Sequence, residues 1–327
     1  IMKKKIYTSL GLMSGTSMDG VDLSVIKSDG YDEFSNIINV YREFDNDLYK
    51  QLIDLRAKIS STEDLKIHES DLNYLEKKFT LFNVKIINDV MQNIDEQIDL
   101  VGFHGQTIIH KPKKGYSIQM GDANLMSKTL KKKVIYQFRQ KDIKNKGEGA
   151  PLSSIYHYNL SKKLKLKEPV IFLNIGGISN ITYIYKNKFK SEDIGPGNIL
   201  IDTYMKKNKN KKFDKDGFFA SIGKINNNTI KNKKFLKKQK HSYDIKDFHL
   251  SFVNKLNFED GMATLNYYTA NIISNFLNRF KQVNDIIICG GGRKNKTLIN
   301  SIKKLTSKKI INIDDFSIDG DFIESQA

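Results

Sequence analysis

The order of apolar and polar positions along the chain predicts alternating strands and helices. Lys5 to Met13 is β-prone and ends in Ser14-Gly15-Thr16-Ser17, and Val21 to Lys27 then alternates apolar with polar residues. The pair reads as a β-hairpin around a glycine-containing turn. From 46 to 97 the apolar positions (Leu52, Leu55, Leu65, Leu72, Leu75, Phe79, Phe82, Val84, Ile87 and Val90) recur mostly at three- and four-residue steps, which predicts two or three amphipathic helices. Short strands follow at Ile98 to Phe103, Tyr116 to Met120 and Val134 to Phe138, with a helix over Gly121 to Thr129 that has Asp122 or Asn124 near its start.

The second half repeats the order without sequence self-similarity. Pro169 to Asn174 reads as a strand, Gly176-Gly177 as a turn and Asn180 to Tyr185 as the returning strand, followed by helices near 197 to 207 and 259 to 281. Ile286 to Cys289 is a strand running into Gly290-Gly291-Gly292, with a helix from Thr297. Two strand, glycine-turn, strand units, each followed by helices, describe two related α/β domains. At 327 residues the chain exceeds the size at which one core keeps growing, so the expectation is an N-terminal domain over 1–135 and a second over 136–327, with a cleft between them. The Lys/Asn-rich stretch 206–212 and residues 223–246 are expected as exposed insertions.

Composition narrows the class. Hydrophobic residues at 39%, aromatics at 10% and a mean hydropathy of −0.46 describe a soluble globular chain. The longest apolar runs are far shorter than the roughly 20 residues that span a bilayer. Lys3, Lys4 and Lys5 are followed by glycines rather than by a cleavage site, so no signal peptide is read and the expected location is cytoplasmic. The single cysteine, Cys289, excludes an intrachain disulfide, and no Cys/His cluster suggests structural zinc. A net charge of +17 raises nucleic-acid binding, but nearly all of it is lysine spread among Asn and Ile, with arginine only at 42, 56, 139, 279 and 293. Phosphate and guanine recognition favours the bidentate fork of arginine, so neither nucleic acid nor membrane is an expected partner.

Chemistry is carried by glycine-rich turns, each placed directly after a strand. Converging backbone N–H groups hold phosphates, and glycine lets the backbone approach them. Alone, Ser14 to Ser17 reads equally as a plain hairpin turn, Gly176-Gly177 as a tight turn and Gly290 to Gly292 as a helix start. None matches Gly-x-x-x-x-Gly-Lys-Ser/Thr or a full Gly-x-Gly-x-x-Gly in a βαβ setting, which removes the P-loop and Rossmann readings. What remains is an actin-like (RNase H-like) arrangement, in which hairpins from two domains hold phosphates across an interdomain active-site cleft and a later glycine turn meets adenosine.

The segment Gly11-Leu12-Met13-Ser14-Gly15-Thr16-Ser17-Met18-Asp19-Gly20-Val21-Asp22 closely resembles the opening motif of anhydro-N-acetylmuramic acid kinases. The resemblance continues in order through Gly102-Phe103-His104-Gly105-Gln106-Thr107, Gln119 to Asp122, Gly149 to Leu152, Asn174 to Asn180, Asp193 to Asn198, Asp214 to Ala220, Glu259 to Leu265 and Gly290 to Arg293 with Asn295. It implies an enzyme that uses ATP and water to open 1,6-anhydro-N-acetylmuramic acid and phosphorylate O6, giving N-acetylmuramic acid 6-phosphate in peptidoglycan recycling. By resemblance Asp193 is the general base; an isolated aspartate there would read as a helix cap. Gly15, Thr16, Ser17, Met18, Asp19, Gly20, Val21 and Asp22 form the first phosphate hairpin, Gly176 and Gly177 the second, and Gly290, Gly291 and Gly292 touch the nucleotide. Asp19 is the candidate for holding Mg2+ through water, although many actin-like kinases carry an Asp where this chain has Ser14. His104, Gln106, Thr107, Arg139 and Asp142 are the expected sugar ligands, and a homodimer is implied.

Departures from the family pattern stand at Gln137, where Asp is usual before Phe-Arg, at Glu148 within Lys146-Gly147-Glu148-Gly149, and at Ile194 in place of Thr. They are expected to touch the sugar side and the surroundings of the base, and they motivate two alternatives: a kinase of the same fold for another anhydro sugar, or a nucleotide-binding relative without catalysis. The chain stops at Glu324-Ser325-Gln326-Ala327, inside what resembles a longer helix, and is expected to be a C-terminally truncated fragment.

Overall fold

The computed structural model describes residues 5–15, 17–232, 242–243 and 247–327. The chain forms two compact units: one runs to Asn159 and takes in Phe322–Ala327, the other is Leu160–Asp321. The division expected after residue 135 falls inside the first unit, within the strand Lys133–Tyr136.

In the first unit β1 (Tyr7–Ser14), β2 (Gly20–Ser28) and β3 (Phe34–Glu43) form an antiparallel meander. β4 (Leu100–Lys111) lies parallel to β1, while β5 (Tyr116–Met120) returns antiparallel along the far half of β4. β6 (Lys133–Tyr136) lies parallel to the near half of β4. Along β1 buried positions alternate with half-buried ones after an exposed Tyr7, so Leu10 and Leu12 enter the core with Leu23 and Val25 of β2. The helices Asn46–Lys58, Thr62–Ile67 and Glu69–Met91 realise the expected periodicity and bury Leu48, Leu52, Phe79 and Ile87. Asp45 caps the first and Ser61 closes a capping box with Asp64 on the second. Asp122 caps Ala123–Leu130 through Leu125 N–H. The short helix Ile323–Gln326 lies on β1 and β2: a Cβ at Gly11 would stand 2.0 Å from the Ser325 carbonyl, and Ser24 and Ser325 hydroxyls are 2.7 Å apart.

The second unit repeats the topology. β7 (Val170–Ile175), β8 (Ile178–Tyr185) and β9 (Lys188–Pro196) form the meander. β10 (Asp285–Cys289) lies parallel to β7, and β11 (Lys309–Asn312) parallel to β10. All six residues of β7 are buried, as expected for a central strand covered on both faces. The helix Phe258–Leu277, capped by Asn257, supplies much of the core with Leu298, Ile299 and Ile302 of Lys296–Leu305. With β5 set aside as an extension of β4, both sheets have three antiparallel strands in the order third, second, first, then two parallel ones. This duplicated α/β order is the two-domain actin-like fold.

Three strands go beyond the sequence reading, namely β3, β9 and β11, and β4 runs on to Lys111 rather than stopping at Phe103. The stretch 206–212 is exposed as expected, although 206–209 closes the helix Ile199–Lys209. Much of the expected insertion 223–246 lies outside the described residues. Among the described residues no helix is long and apolar enough to cross a membrane.

Candidate active site

Each unit carries a hairpin whose turn is tied down by polar contacts. In the first, β1 ends at Ser14 and β2 begins at Gly20. Thr16, expected at the tip, lies outside the described residues. Met18 holds a left-handed φ of 55° and is fully buried, and Val21 is almost as buried, so these two positions present backbone rather than side chain. Gly20 is enforced by β3, because a Cβ there would stand 2.5 Å from the Arg42 carbonyl and 2.6 Å from the Tyr41 ring. Ser17 Oγ donates to Asp19 Oδ1 at 2.6 Å, and the Asp19 carbonyl accepts from Phe44 N–H at 3.0 Å. Asp22 stands opposite Tyr41 across the β2–β3 pair, and burial, then the charges of Asp19 and Asp22, push the Tyr41 phenol well above its ordinary range.

Of the residues expected to hold a sugar, Gln106 is fully buried beneath this turn. Its Oε1 accepts from Ser14 Oγ at 2.6 Å and its Nε2 donates to the Gly15 carbonyl at 3.0 Å. Thr107 Oγ1 accepts from Gln119 Nε2 at 3.3 Å.

His104, Arg139 and Asp142 form a second group in the same unit. Arg139 Nε donates to His104 Nε2 at 3.0 Å, which leaves the imidazole proton on Nδ1, bonded to the Gly105 carbonyl at 2.8 Å. Burial, then the neighbouring Arg139 charge, push His104 down to about 3. Arg139 also donates to the Gly149 carbonyl at 2.6 Å, and Gly149 N–H donates to Asp142 Oδ2 at 2.7 Å. The loop carrying Glu148 is thereby wrapped onto Arg139 and Asp142, and a Cβ on Gly147 would stand 2.1 Å from the Asp142 carboxylate. Gln137 is exposed at a φ of 58°.

A pH dependence follows from burial. His104 and the fully buried His157 are both held at about 3 against an ordinary 6.5. Between these values the unfolded chain takes up protons that the folded chain excludes, so stability is full above about 6.5 and declines as pH falls toward 3. Thermal melts are expected to show a falling midpoint below pH 6.5, with a shallower slope in His157→Gln. A slope unchanged by the substitution would contradict it.

In the second unit three expected elements adjoin. Asn174 of β7, Asn180 of β8 and Asp193 of β9 occupy one cross-strand row. Between Ser179 and Asn180 the register slips by one residue of β9, so that Ile194 is the extra residue of a bulge. Such a bulge re-aims the side chains beside it. Ile194 is buried in the core with Leu173, Ile181 and Ile273, so the departure from Thr packs inward. Asp193 itself is no helix cap: it lies within β9, and Asn198 occupies the cap position of Ile199–Lys209. Tyr243 N–H donates to Asp193 Oδ2 at 3.0 Å. Asn180 Oδ1 is buried and takes no hydrogen bond among the described residues.

The Gly176-Gly177 turn is strapped to the segment after Asp193. Asn198 N–H donates to the Gly176 carbonyl at 2.8 Å, and Gly197 and Ile199 N–H donate to the Gly177 carbonyl at 2.9 and 3.1 Å. A Cβ on Gly197 would stand 2.1 Å from the Gly176 oxygen, so glycine is required there. Gly290, at a φ of 78°, lies against the end of β7, where a Cβ would stand 2.2 Å from Asn174 Oδ1. Gly292 is pressed onto Ile175, whereas Gly291 faces open space.

Arg293, unassigned in the sequence reading, holds this last turn. Its side chain is 2% exposed; Nε bonds Asp314 at 3.0 Å, Nη1 bonds the Gly290 carbonyl at 3.1 Å and Asp321, and Nη2 bonds Asp319 at 3.2 Å. The signal in the sequence was the run of aspartates at 314, 315, 319 and 321 that follows the last strand.

A family model described as anhydro-N-acetylmuramic acid kinase matches residues 7–327. The chain is similar to the protein of that name from Pelagibacter ubique (strain HTCC1062), with 48% identity over 341 residues covering 99% of this chain and 90% of that one. It is also similar to those from Brucella suis (strain ATCC 23445 / NCTC 10510), 33% identical over 98% of this chain and 89% of that one, and Zymomonas mobilis, 33% identical over 97% and 90%.

Proposed function

The chain belongs to the anhydro-N-acetylmuramic acid kinase family, and from that membership we propose how its residues divide the work of an ATP-dependent sugar kinase. The substrate is 1,6-anhydro-N-acetylmuramic acid. Water attacks C1, the C1–O6 bond breaks, and O6 takes the γ-phosphoryl group of ATP, giving N-acetylmuramic acid 6-phosphate and ADP. This places the enzyme in peptidoglycan recycling. A cytoplasmic location and a homodimer accompany the reading through the family.

The observation that carries the assignment of roles is the bulged strand at Asp193, which removes this carboxylate from helix capping and fixes it beside a strapped glycine turn. Asp193 takes a proton from the attacking water, the step a general base must perform for water to add to C1. Its Oδ2 is oriented by Tyr243 N–H, as a base must be held in place. The buried Asn180 Oδ1 offers an acceptor one strand away.

Backbone N–H groups of Gly176 and Gly177, whose carbonyls are already committed to residues 197–199, are set to receive phosphate oxygens. In the first unit the turn at Gly15, Thr16 and Ser17 does the same, and the Gly290 to Gly292 turn takes the nucleotide at its open Gly291. His104, Thr107, Arg139 and Asp142 form the sugar-side group, with Arg139 matched to a lactyl carboxylate.

Mg2+ fits the residues present. Among the described residues no cluster of three acidic or His/Cys side chains forms a protein cage, but Asp19 and Asp22 stand at the first hairpin, and magnesium on a nucleotide is held by phosphates, waters and one or two carboxylates. When bound, the ion neutralises charge on the phosphates.

The test is the fate of water oxygen. Turnover in 18O-water, quenched early, is expected to place one label on C1 of the sugar product and none in its phosphate. Label in phosphate with the anhydro bridge intact would mean ATP hydrolysis without ring opening.

A further inference from the structure

We infer that Gln106 is a positioning residue for the phosphate turn rather than a sugar ligand: its carboxamide is a strut between β4 and the end of β1, holding the Ser14 hydroxyl with one end and the Gly15 carbonyl with the other. The inference rests on reading the Gly15 turn as a phosphate site.

Gln106 is fully buried, so its amide has no solvent to exchange with. Oε1 accepts from Ser14 Oγ at 2.6 Å and Nε2 donates to the Gly15 carbonyl at 3.0 Å, so both ends of the side chain are engaged by two consecutive residues. The strands place it there. β1 and β4 run parallel, and after Leu12 opposite Phe103 the register shifts so that Ser14 stands opposite Gln106. Gly105, at a φ of 77°, makes the local turn of β4, since a Cβ there would stand 2.5 Å from the Met120 carbonyl.

The two bonds of Gln106 hold the Ser14 hydroxyl and the Gly15 carbonyl, and so the backbone at the end of β1, in one arrangement. A turn that must receive phosphate needs the strand end that carries it set before the ligand arrives, because ordering it on binding would subtract from affinity. The Ser14 hydroxyl also stands 2.9 Å from the Gly20 carbonyl across the hairpin, so its single proton is shared between that acceptor and Gln106 Oε1, the shorter contact of the two. A carboxylate at Ser14 could not donate to Gln106 or to Gly20; the serine hydroxyl serves here as a fastening of the turn.

The experiment compares Gln106→Met, which keeps length and volume but neither hydrogen bond, with Ser14→Ala and Asp19→Ala in the whole chain. Dissociation constants for MgADP and the anhydro sugar are measured by calorimetry, and KM is measured for each substrate. Gln106→Met is expected to raise the MgADP dissociation constant and the KM for ATP about ten-fold, since the Gly15 carbonyl loses its donor and the Ser14 hydroxyl one of its two acceptors. The KM for the sugar is expected to stay within about two-fold. Ser14→Ala, which loses one arm, is expected to shift the same constants in the same direction by less, and carries the test if the methionine variant does not fold. A fall in sugar affinity, alone or together with nucleotide affinity, would overturn the inference. Asp19→Ala leaves both strut bonds in place: if it weakens MgADP and Gln106→Met does not, the strut is wrong while the phosphate turn stands. If neither weakens it, the reading of the turn itself is lost.

Discussion

Asp193→Asn is expected to lower kcat by about 10²- to 10⁴-fold while leaving MgADP affinity within about two-fold, the loss associated with removing a general base. The change is nearly isosteric, and an amide oxygen can still accept from Tyr243 N–H, so the strand, its bulge and the strapped turn are retained. What is lost is basicity. Steady-state rates of ADP release at saturating sugar, with nucleotide affinity measured separately, check both halves. Retention of more than about a tenth of kcat would remove Asp193 from the proton transfer.

The second large effect is on the turn at Gly290 to Gly292. Arg293→Ala is expected to cost about 2–4 kcal/mol of stability, below the full loss for breaking a buried pair because the partners keep part of their hydration. Those partners, Asp314, Asp319 and Asp321, are 41%, 44% and 27% exposed, against 2% for the arginine side chain. Without the guanidinium, three carboxylates are left close together and the Gly290 carbonyl loses a donor. Burial alone would raise Asp314, but hydrogen bonds from Arg293 and Gly320 N–H hold it below its ordinary 3.8. The stabilisation it contributes is therefore present above that pH and lost as pH falls through the depressed value. Arg293→Lys restores charge without the planar fork and is expected to recover less than half of the loss. Urea unfolding of the three proteins checks the order; equal stability of wild type and Arg293→Ala would contradict it.

The parts of the fold that were legible in the sequence are those buried on more than one side. β7 is buried throughout and apolar except for Asn174, and β1 alternates, so both announce themselves. The strands that escaped, β3, β9 and β11, all stand at sheet edges. An edge strand has one neighbour and much exposed surface, and apolar periodicity is absent from β9, whose first three residues, Lys188, Phe189 and Lys190, are exposed. Without β9, Asp193 reads as a residue before a helix, which is why the sequence offers a capping role that the strand removes.

Side-chain roles were legible as chemistry but not as direction. Gln106 has donors and an acceptor that suit a sugar or a backbone turn equally, and only the shift in register that sets it opposite Ser14 separates the two. Ile194 looked like a change beside the base, yet as the extra residue of the β9 bulge it packs into the core. Arg293 was read as part of a motif; its three aspartates lie 21 to 28 positions later, beyond what local spacing can pair.

The central claim is tested most directly by ADP release from the wild-type chain with magnesium and ATP, with and without 1,6-anhydro-N-acetylmuramic acid, and with the sugar product identified by mass. Release is expected to depend on the anhydro sugar and to match formation of N-acetylmuramic acid 6-phosphate one for one. Release independent of the sugar, or none with it, would contradict the assignment of this chain as a kinase acting on that substrate.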